Sequence, residues 1–359
     1  MKKKVLVVDD SAFMRKMISD FLSEDDRLEV IGTARNGKDA IEKVKELKPD
    51  CVTLDIEMPI MNGLDALQTI MKTQPVPVVM LSSLTKEGAD HTLLAIQYGA
   101  VDFLLKPSGS ISLDLHKIKQ EMIEKVVQAS RVNINMLKPP ITEKDFFPNV
   151  QNGKESSEQI VDYMTLKQPL KKLVLIGTST GGPRALQHVL EKIPITIQAP
   201  ILIVQHMPPG FTKSLAERLN QLSKIEVKEA IDGEILKNGT AYIAPGGSHL
   251  KIKRSAKSLI AHVDSTSPPK NNHRPSVDVM FESAENLTDY AKVAVILTGM
   301  GSDGSDGLKK LKKSGNVKII AESKESSIIF GMPKAAINTG LVDEVAHIHD
   351  IASTIMKYL

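Results

Sequence analysis

Stretches that are apolar at every position, not at every second one, recur along this chain and constrain its fold more than any other feature. KVLVVD, LEVIGTA, DCVTLD, VPVVMLS and AVDFLLK follow one another in the first part of the sequence, with helix-period segments between them. A strand with one wet face alternates apolar and polar residues. A strand with no polar face is covered on both sides, which is the condition of a parallel sheet wrapped by helices. Residues 1–125 are therefore expected to form a doubly wound α/β domain of five strands. After the fifth run, Leu115, Ile118, Met122 and Val126 recur at helical spacing and give one apolar stripe able to seal the last strand.

The pattern then stops. LKPPITEKDFFPNVQNGKESSEQ carries prolines, charges and amides without usable periodicity, as a connector does. We assign the linker to residues 126–168, its irregular part starting near residue 130. A second alternation opens at KKLVLIG and continues through PILIVQ, TAYIAP, KVAVILT and VKII, so residues 169–359 are expected to be a second α/β domain. Between Tyr242 and Val263 shorter strands and turns suggest a small antiparallel insert. No repeat of fixed period is visible, which removes solenoids and propellers.

At 359 residues the chain is too long for one typical core, in keeping with two domains. Its net charge of only +3 gives no sign of a polyanionic partner, so nucleic-acid binding is not expected. Cys51 is the single cysteine; no intrachain disulfide is possible, and it reads as a small buried hydrophobe in a cytoplasmic protein. The opening MKKKVLVVDD has basic residues before an apolar run, but Val5 to Val8 is far too short for a signal peptide. No window approaches the roughly 18 to 20 apolar residues of a spanning helix. Direct membrane insertion is not expected, and any membrane connection would run through a partner.

Two groups of chemically active residues fall at the ends of these strands. In an open parallel sheet ligands gather at the carboxyl ends, where Asp9, Asp10 and Asp55 would converge. Three carboxylates in one place repel one another and are best tolerated around a hard cation, for which Mg²⁺ is the natural candidate. Lys106 ends the fifth run and Ser82 the fourth, adding a cation and a hydroxyl able to bind phosphoryl oxygens. Asp55 could then accept a phosphoryl group. An Asp-Asp pair at a strand end is often just a helix N-cap; the set at the ends of separate strands is what carries the argument.

The second group begins with Ser179 in GTSTGG. An apolar strand, a glycine turn and a helix are the setting of a G-x-S-x-G nucleophile elbow. Gly177 and Gly181 permit a tight backbone, Gly182 a close helix, and Pro183 starts that helix. Backbone N–H groups near Thr180 could stabilise an oxyanion. The alternative is a phosphate-cradling turn, although neither G-x-G-x-x-G nor GK[ST] spacing is present. His206 ends the buried-looking run ILIVQ and is the preferred base. Asp303, in the glycine loop after AVILT, is the preferred orienting carboxylate, with an N-cap role as its alternative and Asp306 as a weaker rival. Asp278 is expected on a helix. His91, His188, His347 and His349 read as surface or helix-face residues, while His249, His262 and His273 remain possible substrate contacts. The order Ser, His, Asp differs from that of ordinary α/β-hydrolases, but a triad is defined by geometry.

The first set, with Met58 and Pro59 after Asp55, resembles response-regulator receiver domains over residues 1 to about 125. GTSTGG, QHMPPGFTKSLAERLN, AYIAPGGSHL, HRPSVDVMF and LTGMGSDG together resemble the chemotaxis protein-glutamate methylesterase family, CheB, over nearly the whole chain. The resemblance implies a (βα)5 receiver joined to a three-layer αβα, Rossmann-like esterase domain. It implies hydrolysis of glutamyl methyl esters and deamidation of glutamines on chemoreceptors. Its implied roles are Asp9 and Asp10 as metal ligands, Asp55 as phosphorylation site, Ser82 as switch hydroxyl, Phe103 as rotating aromatic and Lys106 as phosphate sensor. Ser179 is the implied nucleophile, His206 the base and acid, Asp303 its partner, and Thr180 and Met300 neighbours of the oxyanion site. The implied partners are a histidine kinase as phosphoryl donor and the cytoplasmic region of chemoreceptors as substrate. Mg²⁺ belongs to the receiver alone, with no cofactor expected in the catalytic half. A phosphorylation-dependent anion- or nucleotide-binding module without hydrolysis is the rival reading.

Overall fold

A computed structural model describes residues 1–106, 114–137, 170–256 and 258–359. The first domain runs β1 (Lys3–Val8), α1 (Ala12–Ser23), β2 (Leu28–Ala34), α2 (Gly37–Leu47), β3 (Cys51–Asp55), α3 (Gly63–Thr73), β4 (Val78–Ser82), α4 (Lys86–Gln97), β5 (Asp102–Leu105) and α5 (Asp114–Ala129). Its five strands are parallel, in the order β2-β1-β3-β4-β5. Every residue of β3 and β4 is buried, which is why those strands carry no alternation. Helix starts are fixed locally: Ser11, Asn36, Asn62 and Thr85 each accept a backbone N–H of the first turn through the side chain. Met122 and Val126 of the predicted stripe are buried, while Leu115 lies outside the described side chains. Because α5 continues to Ala129, the helix overruns the sequence boundary at residue 125. A short 3₁₀ turn at Ile134–Leu137 buries Leu137 against the domain. Most of the irregular linker falls outside the described residues.

The second domain contains β6 (Lys171–Thr178), α6 (Gly182–Leu190), β7 (Ile201–Gln205), α7 (Phe211–Leu222), β8 (Glu226–Glu229), β9 (Thr240–Ile243), β10 (His249–Ser255), β11 (Ser258–Asp264), α8 (Val277–Ser283), β12 (Tyr290–Ile296), α9 (Ser305–Lys313), β13 (Val317–Glu322), α10 (Met332–Asn338), β14 (Glu344–Ala346) and α11 (Ile351–Lys357). Seven parallel strands stand in the order β14-β13-β12-β6-β7-β9-β8. β10 and β11 form the antiparallel insert. Tyr242, read as part of that insert, instead belongs to the parallel strand β9, where it is buried. The chain leaves β6 toward β7 on one side and later returns to β12 on the other, so the order reverses at β6. Side chains at the carboxyl ends of β12, β6 and β7 consequently meet around one crevice. Among the described residues no helix is long and apolar enough to cross a membrane.

Candidate functional site

At the end of the first sheet, oxygens of Asp9, Asp10 and Asp55 lie within 4.8 Å of one another. Asp9 and Asp55 are buried and Asp10 is exposed, so the group opens to solvent on one side. Lys106 Nζ stands 2.7 Å from Asp55 Oδ2 and 3.0 Å from Asp9 Oδ2. Burial, reinforced by the Asp9 charge, raises the Asp55 carboxyl to about 6 despite the lysine. Burial acts to depress Lys106, but Asp55 and Asp9 outweigh it and raise its pKa. Three hard oxygen donors with one open side fit a divalent cation. The Ser82 hydroxyl donates to Gly88 O (3.1 Å) and accepts from Thr92 Oγ1 (2.9 Å), both on α4.

At the second sheet, Ser179 follows β6 and His206 follows β7, two strands paired through Thr178 and Gln205. His206 N donates to Thr178 O (3.2 Å), and Gln205 Nε2 donates to Ser179 O (3.0 Å), which ties the two strand ends together. The glycine turn is set by close approach. A Cβ on Gly182 would stand 1.9 Å from Gln205 Oε1, and Gly181 has φ 79°, in the left-handed region. From the far side, Asp303 Oδ2 meets His206 Nε2 at 2.8 Å.

Asp303 is buried and accepts four further hydrogen bonds: Ser276 Oγ (2.8 Å), Val277 N (2.7 Å), Asp278 N (3.0 Å) and Gly304 N (3.0 Å). Burial works against its ionisation, but the His206 ring and the backbone donors hold its carboxyl well below the usual range. The N-cap of α9 is Gly304, so Asp303 is turned inward to the histidine rather than serving as that cap. Asp306 is mainly exposed and pairs with Lys309 on the helix surface. Asp278 lies in the first turn of α8, on a helix as expected, and accepts from Gly304 N (3.0 Å) and Gly307 N (2.6 Å). Burial, with the charge of Asp303, lifts it to about 6.

His206 Nδ1 is buried and makes no hydrogen bond, so the Ser179–His206 link is not formed in this state. His273 stacks on the His206 ring, with centroids 3.9 Å apart and planes 8° from parallel. Burial and the neighbouring His206 lower its pKa to about 4. His249 is buried, its Nε2 at 3.0 Å from Pro268 O, and His262 pairs with Asp232. His188 is half-buried among His349 and Lys192, its pKa lowered to about 4 chiefly by burial. Met300 lies half-buried in the loop after β12. The preceding Gly299 is fixed by its N–H to Ile329 O and by its carbonyl, which accepts from Gly331 and Met332.

The first domain covers this site. Thr180 Oγ1 donates to Asp102 Oδ2 at 2.5 Å. Phe103 stacks on Phe211, with centroids 4.9 Å apart and planes 6° from parallel. Lys125 donates to Phe103 O at 2.8 Å, and Glu121 and Lys125 of α5 act electrostatically on His273. Arg218 Nη2 reaches Gln97 Oε1 at 3.3 Å beside a cavity of about 270 Å³ between α4, α6 and α7. Asp102 and Phe211 lie 78 and more residues from the groups they meet, and no local signal announces them. Glu322, buried at the end of β13, was also passed over, although a carboxylate closing an apolar run is the same signal that marks Asp55.

The CheB methylesterase family profile matches residues 174–355, and the response regulator receiver domain profile matches residues 5–116. The protein-glutamate methylesterase/protein-glutamine glutaminase of Geobacillus kaustophilus is 56% identical over 356 residues, covering 99% of this chain and 98% of its own. Its counterpart in Bacillus subtilis is 51% identical over 359 residues, covering 98% and 97%. The crystal structure of the Thermotoga maritima CheB methylesterase catalytic domain aligns with a TM-score of 0.50 at 45% identity, over 52% of this chain and 98% of that one. With a receiver fold ahead of an α/β domain whose serine, histidine and aspartate stand on three adjacent strands, this chain belongs to the CheB family of response-regulator methylesterases.

Proposed function

We propose that this chain is a phosphorylation-activated protein-glutamate methylesterase and protein-glutamine deamidase that acts on chemoreceptors in chemotactic adaptation. The observation that carries the reading is the 2.8 Å contact between His206 Nε2 and Asp303, made beside the strand end that bears Ser179. Since Nε2 is held by the carboxylate, Nδ1 is the nitrogen left to take the Ser179 proton. Ser179 Oγ attacks the side-chain ester carbonyl, the C–O bond to the methoxy group breaks, and methanol leaves with the proton returned by His206. Water, deprotonated by the same ring, then cleaves the acyl-enzyme and regenerates Ser179. With a glutamine side chain the leaving group is ammonia. Thr180 and Met300 flank the position of the oxyanion, and Asp303 fixes the ring and stabilises its charged form.

In the receiver, Asp9, Asp10 and Asp55 would hold Mg²⁺, which supplies charge neutralisation for phosphoryl transfer when bound. Asp55 is the acceptor and Lys106 the group that senses its new charge, with a histidine kinase as donor. The unphosphorylated receiver restrains the esterase. This is supported by Asp102, which engages the hydroxyl of Thr180, and by the Phe103–Phe211 stack. Rotation of Phe103 after phosphorylation breaks that stack and releases the cover. The test is methanol release from methylated receptor membranes by native and Ser179→Ala protein. Release that depends on Ser179, together with labelling of Ser179 by a serine-reactive probe that His206→Ala abolishes, supports esterase chemistry. No release by the phosphorylated native protein leaves the anion-binding module as the better account.

A further inference from the structure

We infer that Glu322 is a positioning residue for the ester chemistry, holding through the main chain of Thr298 the loop against which Ser179 is set. The inference rests on the hydrolytic reading above and concerns a group to which that mechanism gives no part. Glu322 closes β13 and is 1% exposed. Its Oε2 accepts Thr298 N at 2.7 Å and its Oε1 accepts Ser326 Oγ at 2.9 Å.

Thr298 in turn organises three consecutive residues of the nucleophile turn. Its carbonyl accepts Thr178 Oγ1 (2.9 Å) and Ser179 N (3.0 Å), and its hydroxyl lies 3.0 Å from Thr180 O as a donor. The next residue, Gly299, is packed so closely that an added Cβ would come 2.9 Å from Ser179 Cβ. Displacing Thr298 therefore moves the serine backbone and the loop leading to Met300 together. A fixed turn matters because hydrolysis depends on near-attack geometry, and small misplacements of the nucleophile reduce turnover strongly.

The surroundings argue that hydrogen bonding, not a salt link, is the role of Glu322. The groups acting on its ionisation are burial, which pushes it up to about 7, and the Thr298 and Ser326 donors, which oppose that shift. Ser326 Oγ also accepts Ile348 N (3.0 Å), anchoring the carboxyl from behind. A glutamine retains one carbonyl oxygen to accept Thr298 N; an alanine leaves that N–H buried without its partner.

The experiment uses the full chain with Mg²⁺ and a small-molecule phosphoryl donor. Glu322→Ala should lower kcat for methanol release by about 10- to 100-fold with KM changed less than about twofold, and slow fluorophosphonate labelling of Ser179 in parallel. Glu322→Gln should restore kcat to within about threefold of native. Glu322→Met, which fills a similar volume without an acceptor for Thr298 N, gives a second route if Glu322→Ala fails to fold, and should also lower kcat and labelling. Native kcat and labelling in folded Glu322→Ala, or in Glu322→Met when the alanine variant does not fold, overturn the inference. So does a loss in Glu322→Gln equal to that in the alanine variant. If native protein labels at Ser179 but releases no methanol, the esterase reading fails, and the labelling rates still decide the part played by Glu322.

Discussion

At the edge of the first sheet the acidic group of Asp9, Asp10 and Asp55 opens outward through the exposed Asp10; at the corresponding edge of the second sheet Ser179 and His206 lie under a neighbouring domain. Both centres are made by strands that end together, yet only the first is complete within its own fold. The acidic centre has the open side that a divalent cation would need. The serine centre has its carboxylate and imidazole in contact but not its imidazole and hydroxyl, and the residue next to the serine is engaged by Asp102. The difference teaches that the domain bearing the acidic centre also packs over the serine centre, next to the residue that follows Ser179.

If the two centres are chemically separate, Ser179→Ala should lower methanol release by about 10⁵-fold while leaving Mg²⁺-dependent phosphoryl uptake at Asp55 unchanged. Parallel assays of ester cleavage and radiolabelled phosphate incorporation measure this; loss of both would mean that the centres are not independent. Asp303→Asn should follow, lowering kcat by about 10³- to 10⁴-fold, because the amide can favour the wrong tautomer of His206. Circular dichroism and steady-state kinetics on the same sample separate this from unfolding.

Asp102→Ala addresses the cover itself. It removes a charge-assisted hydrogen bond from the closed arrangement, so basal methanol release without phosphorylation should rise by about tenfold, with the phosphorylated rate little changed. An unchanged or lower basal rate in a folded variant would falsify masking through this contact.

The last effect concerns stability rather than rate. Burial raises the Glu322 carboxyl from 4.5 to about 7, so its protonated form is favoured in the folded state. Stability from this group is fully present below about pH 4.5 and is lost as pH rises through about 7. Glu322→Gln cannot ionise, so its stability relative to native should increase by on the order of 3 kcal/mol between pH 4.5 and 7.5. Denaturant melts of both proteins across that range give the measurement, and parallel curves would refute it.

Much of this fold was legible because buried parallel strands leave an unbroken apolar signature. VVMLS and ILIVQ are both entirely buried. The edge strands escaped for the converse reason. β8 is EVKE, polar on its open side, and β14 is only three residues long. Ser179, His206 and Asp303 could be chosen because each follows such a run. The partners that tune them could not: Asp102 meets Thr180, and Phe103 meets Phe211, across domains, and nothing in the local pattern of either segment encodes the pairing. Which ring nitrogen of His206 faces Asp303 was equally hidden, since sequence does not set the orientation of the ring.

Phe103 and Phe211 also belong to one continuous apolar cluster that includes Leu6 and Val8 from the first sheet and Val174 and Ile203 from the second. The two halves thus share part of one apolar interior, so that parting them exposes apolar surface from both. If the proposed masking holds, uncovering Ser179 carries the cost of wetting that shared interior, which sets a limit on how readily the cover lifts.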